Sequence, residues 1–258
     1  MNENLQKEVL DDGICILSIN RKPVNALSYD FLKEIKNSFL EIENDVNIRV
    51  VILKSNLEHF CAGADLKERK IMSKNDAGKA LDNFNDCFNL IERLTIPTIC
   101  LINGYCLGGG AELALAFDFR LGLSDCVIGF PEVSIGIIPG AGGTYRLPKL
   151  IGLSNAKHWI YTAEKFDVDD ALRYGFLNLK VEMQDGLDVA LKLCNKIISN
   201  APIAIKSAKK SINDAFNKEL NAGLMIERKN YELTLNTNDR DEALDAFINK
   251  RKPIWKNE

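Results

Sequence analysis

The chain has 258 residues, 46% of them hydrophobic and 27% charged, and a formal net charge of −3. That length suits one large domain or a domain with an appendage, with enough apolar content for a sizeable core. The slightly acidic balance lacks the basic footprint of a nucleic-acid binder, and no block of like charges marks an interaction tail.

At the N-terminus, MNENLQKEVLDDG has neither the apolar core of a signal peptide nor the Arg-rich character of a transit peptide. Residues 6–20 predict a hairpin turning at Asp12-Gly13, followed by a loop over 21–26 held by Pro23. Ser28 is placed to cap a helix over 29–43, where Leu32, Ile35, Phe39 and Ile42 share one face. Val50–Lys54 predicts a short buried strand, and HFCAGADLKERK after it a loop with small residues at 62–64. Ala77, Ala80, Leu81, Phe84, Phe88 and Ile91 recur at helical spacing over about 75–94, until Thr95-Ile96-Pro97 breaks the helix. Thr98–Ile102 is the expected central strand, with a helix from about Gly109 to Phe117 after it.

Short strands are expected near 119–123, 127–130 and 177–181. Alternation of strands and helices up to about residue 180 points to βαβ units and a parallel sheet. Beyond it, helices are predicted near 186–199, 202–216, 219–235 and 240–249, with Ile205, Ala208, Ile212 and Phe216 in one stripe. Apolar stripes on consecutive helices imply a layer packed on the core or on a neighbouring subunit. The seven cysteines, at 15, 61, 87, 100, 106, 126 and 194, are odd in number and show no C-x-x-C spacing. They read as reduced, mostly buried thiols of a cytosolic-type compartment. With no apolar run near the roughly 18 residues of a membrane helix, the expectation is a soluble, cytoplasmic chain with no membrane association.

The chemistry concentrates between Pro97 and Gly143. Three successive glycines, Gly108-Gly109-Gly110, open a predicted helix although each costs about 1 kcal/mol there relative to alanine. Bare N–H groups at a helix start let a ligand oxygen approach closely; tight helix–strand packing is the alternative reason for the run. Neither G-x-G-x-x-G nor G-x-x-x-x-G-K-[ST] fits at 104–110 or 136–143, so a nucleotide phosphate is not indicated. Glu112, in the first turn, is expected to be favoured as the ionised form by the helix dipole and so to suit activation of water. Glu132, walled by Phe130, Val133, Ile135 and Ile137, is expected to be desolvated with a raised pKa, as a proton donor requires. The two together make a candidate acid–base couple, against the plainer readings of a dipole-compensating side chain and an exposed turn residue. The small-residue loop Cys61-Ala62-Gly63-Ala64-Asp65 offers an N–H to complete an oxyanion hole begun by Gly109.

CAGADLKE at 61–68, NGYCLGGGAELALAFDFR at 103–120, FPEVSIGIIPGAGGTYRLP at 130–148 and FINKRKPIWK at 247–256 together closely resemble the crotonase (enoyl-CoA hydratase/isomerase) superfamily over essentially the whole chain. The resemblance implies an α/β fold with a ββα spiral core over 1–185 and a C-terminal helical trimerisation layer over 186–258. It implies that the N–H groups of Ala64 and Gly109 hold the thioester oxygen and that Glu112 and Glu132 handle water. It further implies that Ala62, Asp65, Leu66 and Lys67 line the pocket for coenzyme A, and that Phe247 and Lys250 near the C-terminus reach the coenzyme A of a neighbouring subunit. An acyl-CoA thioester is the implied substrate, with no metal or other cofactor, in a homotrimer or a homohexamer built as a dimer of trimers. Hydration of a trans-2-enoyl-CoA is the implied reaction. Alternatives are a hydratase for a branched acyl-CoA such as methylglutaconyl-CoA, or an enoyl-CoA isomerase, against which retention of Glu112 argues. A serine hydrolase is disfavoured by two histidines and no G-x-S-x-G. Tyr145 stands where many relatives carry glutamine, and residues 69–80 fall in the family's most variable segment. His59, His158, Trp159, Phe166 and Trp255 are expected to be structural, and Arg146 to be an ion-pair partner.

Overall fold

A computed structural model describes residues 4–258. The described residues divide into two compact units, the first comprising residues 4–94 and 98–191, the second 95–97 and 192–258.

The first unit opens with the predicted hairpin. Strands β1 (Leu5–Val9) and β2 (Ile14–Ile19) pair antiparallel, with Leu5 opposite Ile19. Helix α1 (Tyr29–Asn44) follows, its first turn capped by the Ser28 hydroxyl accepting from the Phe31 N–H. It buries Leu32, Ile35, Phe39 and Ile42, the face that the spacing predicts. Strand β3 (Val50–Ser55) pairs parallel with β2. Next come α2 (Leu66–Ile71), α3 (Lys74–Arg93), β4 (Thr98–Ile102), β5 (Tyr105–Leu107) and α4 (Gly109–Leu115). Strands β6 (Phe119–Leu123) and β7 (Val127–Gly129) lead to a short 3-10 turn, Pro131–Ile135. Helices α5 (Gly143–Ile151) and α6 (Leu153–Thr162), strand β8 (Lys165–Asp167), helix α7 (Val168–Tyr174) and strand β9 (Leu179–Val181) complete the succession before α8 (Gly186–Ile198).

The strands form two sheets. The larger runs β1-β2-β3-β4-β6-β9, parallel from β2 onward, and the smaller β5-β7-β8. Every residue of β2 and of β4 is buried, as in a parallel sheet covered on both faces. Trp159, wholly buried, stacks on Phe166 and Phe176, the packing role expected of it. The cysteines are all free and buried.

In the second unit α9 (Pro202–Ala215), α10 (Leu220–Leu235) and α11 (Asn238–Ile248) follow one another. Asn230, buried on α10, donates to Ser211 Oγ of α9. Asp239 is buried and accepts the N–H groups of Lys256 and Asn257, which ties the C-terminal tail to α11. The predicted stripe on α9 remains uncovered: Ile212 and Phe216 are exposed, as are Leu220 and Met225 on α10. Among the described residues no helix is long and apolar enough to cross a membrane.

Two local differences from expectation have plain causes. Residues 66–71, expected as loop, are helical because the Asp65 carboxylate accepts from the N–H groups of Lys67 and Glu68 and so caps a turn. Strands β5 and β8 have three residues each, too few to show a period of two.

Candidate active site

The run of three glycines is where four segments meet. Strand β5 lies beside the loop after β3: Cys61 N–H donates to the Tyr105 carbonyl, and Leu107 N–H to that of Cys61. A Cβ on Gly110 would overlap the Cys61 carbonyl, so this glycine serves packing. Gly108, at φ +52, donates its N–H to the Gly129 carbonyl at the end of β7, and that bond brings the following turn alongside. A Cβ here would lie 2.9 Å from Glu132 Oε1, so Gly108 makes room for the acid. Gly109 stands at the opening of α4, where a Cβ would lie 3.5 Å from the Ala64 nitrogen. The packing reading of the glycine run is thus seen at Gly110, while Gly109 keeps a bare N–H beside the Ala64 nitrogen.

Ala64 is held by a parallel bridge to Leu27, in which Leu27 donates to the Gly63 carbonyl and Asp65 to that of Leu27. The Ala64 N–H points away from that bridge. Among the described residues neither it nor the Gly109 N–H donates to a protein acceptor. Two neighbouring backbone donors without a protein acceptor are what an oxyanion hole requires. Arg120, buried, donates to the carbonyls of Phe117 at 2.6 Å, Ala114 at 3.4 Å and Phe176 at 2.8 Å, and so fixes the far end of α4.

The two acids are both buried, Glu112 4% and Glu132 7% exposed, but their surroundings differ. Glu112 Oε1 accepts the N–H groups of Ala141 and Gly143, each at 2.8 Å. It therefore leaves its own helix and closes the N-terminus of α5. Arg146 on α5 holds those donors in place. Its Nη1 donates to the Ala141 carbonyl at 3.0 Å, while Nη2 reaches Asn89 and Glu92 of α3, each at 2.7 Å. A Cβ on Gly142, which has φ +101, would overlap Arg146 Nη1, so the loop accepts only glycine there. Arg146 is an ion-pair partner, as expected, but one that builds the carboxylate's cradle.

Glu132 Oε2 is buried and has no hydrogen-bond partner among the described residues. Burial, reinforced by the charge of Glu112, pushes its pKa up from 4.5 to about 7. For Glu112 the expectation of a carboxyl simply favoured as the anion is corrected. Burial is the largest influence and raises its pKa, opposed by the Gly143 and Ala141 N–H groups and by the charges of Arg146 and Arg69. The dipole argument overlooked that the side chain loses nearly all its water.

The remaining expected site residues fall in two places. Ala62 donates to the Val24 carbonyl, and Leu66 and Lys67 are exposed on the first turn of α2. Asp65 is occupied by its cap and by an ion pair with Arg21 at 2.9 Å, which holds its carboxyl below the usual range. It shapes the loop rather than offering a free charge. Arg21 escaped the sequence reading, since nothing in a lone arginine after a strand marks its partner. Phe247, 84% exposed, and Lys250, at φ +52, lie at the end of α11 in the second unit. His59 accepts from the Tyr105 N–H, and His158 pairs with Glu164, both as structural groups. Among the described residues no cluster of three or more His, Cys, Asp or Glu could hold a metal ion.

The model of the enoyl-CoA hydratase/isomerase family matches residues 10–258. The chain is 42% identical over 248 residues to a probable mitochondrial enoyl-CoA hydratase 2 of Arabidopsis thaliana, covering 95% of this chain and 82% of that one. It is 41% identical over 253 residues to a short-chain-enoyl-CoA hydratase of Clostridium acetobutylicum, covering 97% and 96%. The crystal structure of an enoyl-CoA hydratase from Bacillus anthracis superposes with a TM-score of 0.96 at 40% identity, covering 99% and 100% of the two chains.

Proposed function

The chain belongs to the enoyl-CoA hydratase/isomerase family, and from that premise we propose that it adds water reversibly to a trans-2-enoyl-CoA, giving the 3-hydroxyacyl-CoA. The observation that carries this reading is the unequal pair of buried acids beside two unpartnered backbone donors. The thioester oxygen sits between the N–H groups of Ala64 and Gly109. One water lies between Glu112 and Glu132. Its hydroxyl adds to the β-carbon as the electrons of the double bond move through the α-carbon into the thioester, giving an enolate at the oxyanion hole. A proton then reaches the α-carbon through Glu132 on the same face, so the addition is syn. Dehydration is the same path reversed. Thioester and backbone supply the electron sink, so the scheme calls for no metal or redox cofactor. A pKa near 7 suits Glu132 to both giving and taking the proton.

Coenzyme A would run over the loop of Ala62, Asp65, Leu66 and Lys67, with Phe247 and Lys250 reaching the coenzyme A of a neighbouring subunit. The exposed apolar side chains of α9 and α10 support a homotrimer or homohexamer, which sedimentation would measure. The function is tested with crotonyl-CoA. Glu112→Gln and Glu132→Gln should each lower kcat by about 10²–10⁴, with folding unchanged by circular dichroism. Full activity in either variant would sink the reading.

A further inference from the structure

The loop that supplies the Ala64 donor is laid against the turn at residues 21–27, and Asn25 is the hub of that turn. Asn25 is wholly buried and lies at φ +52, a left-handed conformation that glycine takes most easily and asparagine tolerates. What asparagine adds to glycine here is its amide. Nδ2 donates to the carbonyls of His59 at 3.0 Å and Phe60 at 2.9 Å and to Ser55 Oγ at 2.8 Å, while Oδ1 accepts the Arg21 N–H at 2.8 Å. The Asn25 carbonyl in turn accepts from Cys61 Sγ at 3.1 Å. Backbone bonds continue the seam: Ala62 donates to the Val24 carbonyl, Leu27 to that of Gly63, and Asp65 to that of Leu27.

One buried amide therefore grips the two peptide carbonyls that lead into the oxyanion loop. Within that loop the Cys61 N–H is taken by Tyr105, Ala62 by Val24, Gly63 by the Cys61 sulfur and Asp65 by Leu27. Among the described residues Ala64 alone of residues 61–65 keeps a bare N–H. Gly109 is placed from the other side, next to Gly108 and its bond to Gly129. The two donors thus sit on separately held segments, and their spacing depends on what fixes each. We propose that Asn25 is a positioning residue of the oxyanion hole: its amide, wedged between Ser55 and the His59 and Phe60 carbonyls, sets the Ala64 N–H at its distance from that of Gly109. The proposal rests on the hydratase reading for the identity of the thioester, but the hole can be read without turnover.

Acetoacetyl-CoA is the probe. It is a 1,3-dicarbonyl thioester whose enolate absorbs in the near ultraviolet, so its ionisation on the protein reports how well the enolate oxygen is held. Free coenzyme A has no thioester carbonyl and reports the rest of the binding surface. Asn25→Gly keeps the left-handed backbone and deletes the amide. It should lower kcat for crotonyl-CoA by about ten- to a hundredfold, as for displaced catalytic groups, with KM changed by less than about threefold. The pKa of bound acetoacetyl-CoA should rise by about one to two units, the same tenfold to hundredfold, while coenzyme A binds alike by calorimetry. Ser55→Ala removes a support of both the amide and the His59 carbonyl and should raise that pKa by about half a unit. It decides the matter if Asn25→Gly fails to fold. An unchanged enolate pKa in the folded variants would overturn the assignment. A parallel loss of coenzyme A binding would do the same, since it would mean a general loosening. Asn25-dependent ionisation of acetoacetyl-CoA by a wild type that does not hydrate crotonyl-CoA would uphold the hole and its support while overturning the hydratase reading.

Discussion

The loop at the start of α5 and the 3-10 turn after β7 each set the surroundings of one buried glutamate, Glu112 of α4 and Glu132 of the turn itself, and they do so oppositely. At the first, Glu112 meets two N–H donors backed by an arginine that is itself tied to α3. At the second, Glu132 meets Gly108 and has an oxygen with no partner among the described residues. Burial lifts both carboxyls, so burial alone cannot assign roles. Hydrogen-bond supply can: donors fixed on Glu112 favour its anion, while Glu132 keeps its proton close to neutrality. On the proposed mechanism the contrast makes Glu132 the group whose protonation changes during turnover and Glu112 the carboxyl whose orientation is fixed by donors.

The largest test of that division is to remove both acids. If they act as a unit on one water, Glu112→Gln/Glu132→Gln should be little worse than the weaker single variant, not worse by the product of the two losses. Single-turnover hydration of crotonyl-CoA measures this. Multiplicative losses would mean that the acids act in independent steps.

Arg146→Gln should come next. It removes the charge that supports Glu112 and loosens the loop presenting Ala141 and Gly143. We expect kcat to fall about ten- to a hundredfold, as for displaced catalytic groups, and stability to fall by about 2–3 kcal/mol. With the positive charge gone, the pKa of Glu112 rises. The acidic limb of the kcat profile should therefore move to higher pH, with Arg146→Lys in between. A purely mechanical role would lower stability and leave the limb in place.

Much of this arrangement could be read from the sequence, and the unread part has a physical reason. Helices α1 and α3 and strand β4 follow from spacing and from Ser28 and Pro97, because local periodicity reports which face is buried. Glu112 and Glu132 stood out as acids in apolar company. What the sequence could not show was that Gly129 hydrogen-bonds Gly108, which is what brings the acids together across twenty residues. Nor could it show that Glu112 serves α5 rather than its own helix. Arg146 was legible as an ion-pair residue but not as the support of a cradle, since Asn89 and Glu92 lie on another helix. One signal was present and unused: Asp65 followed by Glu68 has the spacing of a helix start, although the Glu68 side chain bonds Tyr29 instead.

Glu132 gives a thermodynamic test of the same contrast. Its folded pKa of about 7 lies above the ordinary 4.5, so between those values the folded chain holds a proton that the unfolded chain releases. Stability from this group is full below about pH 4.5 and is lost as pH rises through about 7, a change of up to about 3 kcal/mol. Denaturation of wild type and Glu132→Gln between pH 4.5 and 8 should show the wild type losing that much relative to the variant. A constant difference would place the Glu132 carboxyl in a wetter setting and return the proton-transfer role to Glu112.

The smallest effect discriminates most finely. Glu92 accepts from Arg146 at 2.7 and 3.2 Å, yet its side chain is 43% exposed. Glu92→Gln retains an acceptor oxygen and removes only the charge. Arg146 keeps its bonds to Ala141 and Asn89, so stability should fall by less than about 1 kcal/mol. The electrostatic consequence has the opposite sign to that of Arg146→Gln. Without the carboxylate, the positive charge of Arg146 is less neutralised and favours the Glu112 anion more. The acidic limb should then move to lower pH, by roughly 0.3 units or less because Glu92 is half in solvent. If Arg146 merely braces the loop, any loosening at Glu92 should move the limb in the same direction as Arg146→Gln, or not at all. Opposed shifts from the two halves of one ion pair would show that α3 reaches Glu112 through charge as well as through position.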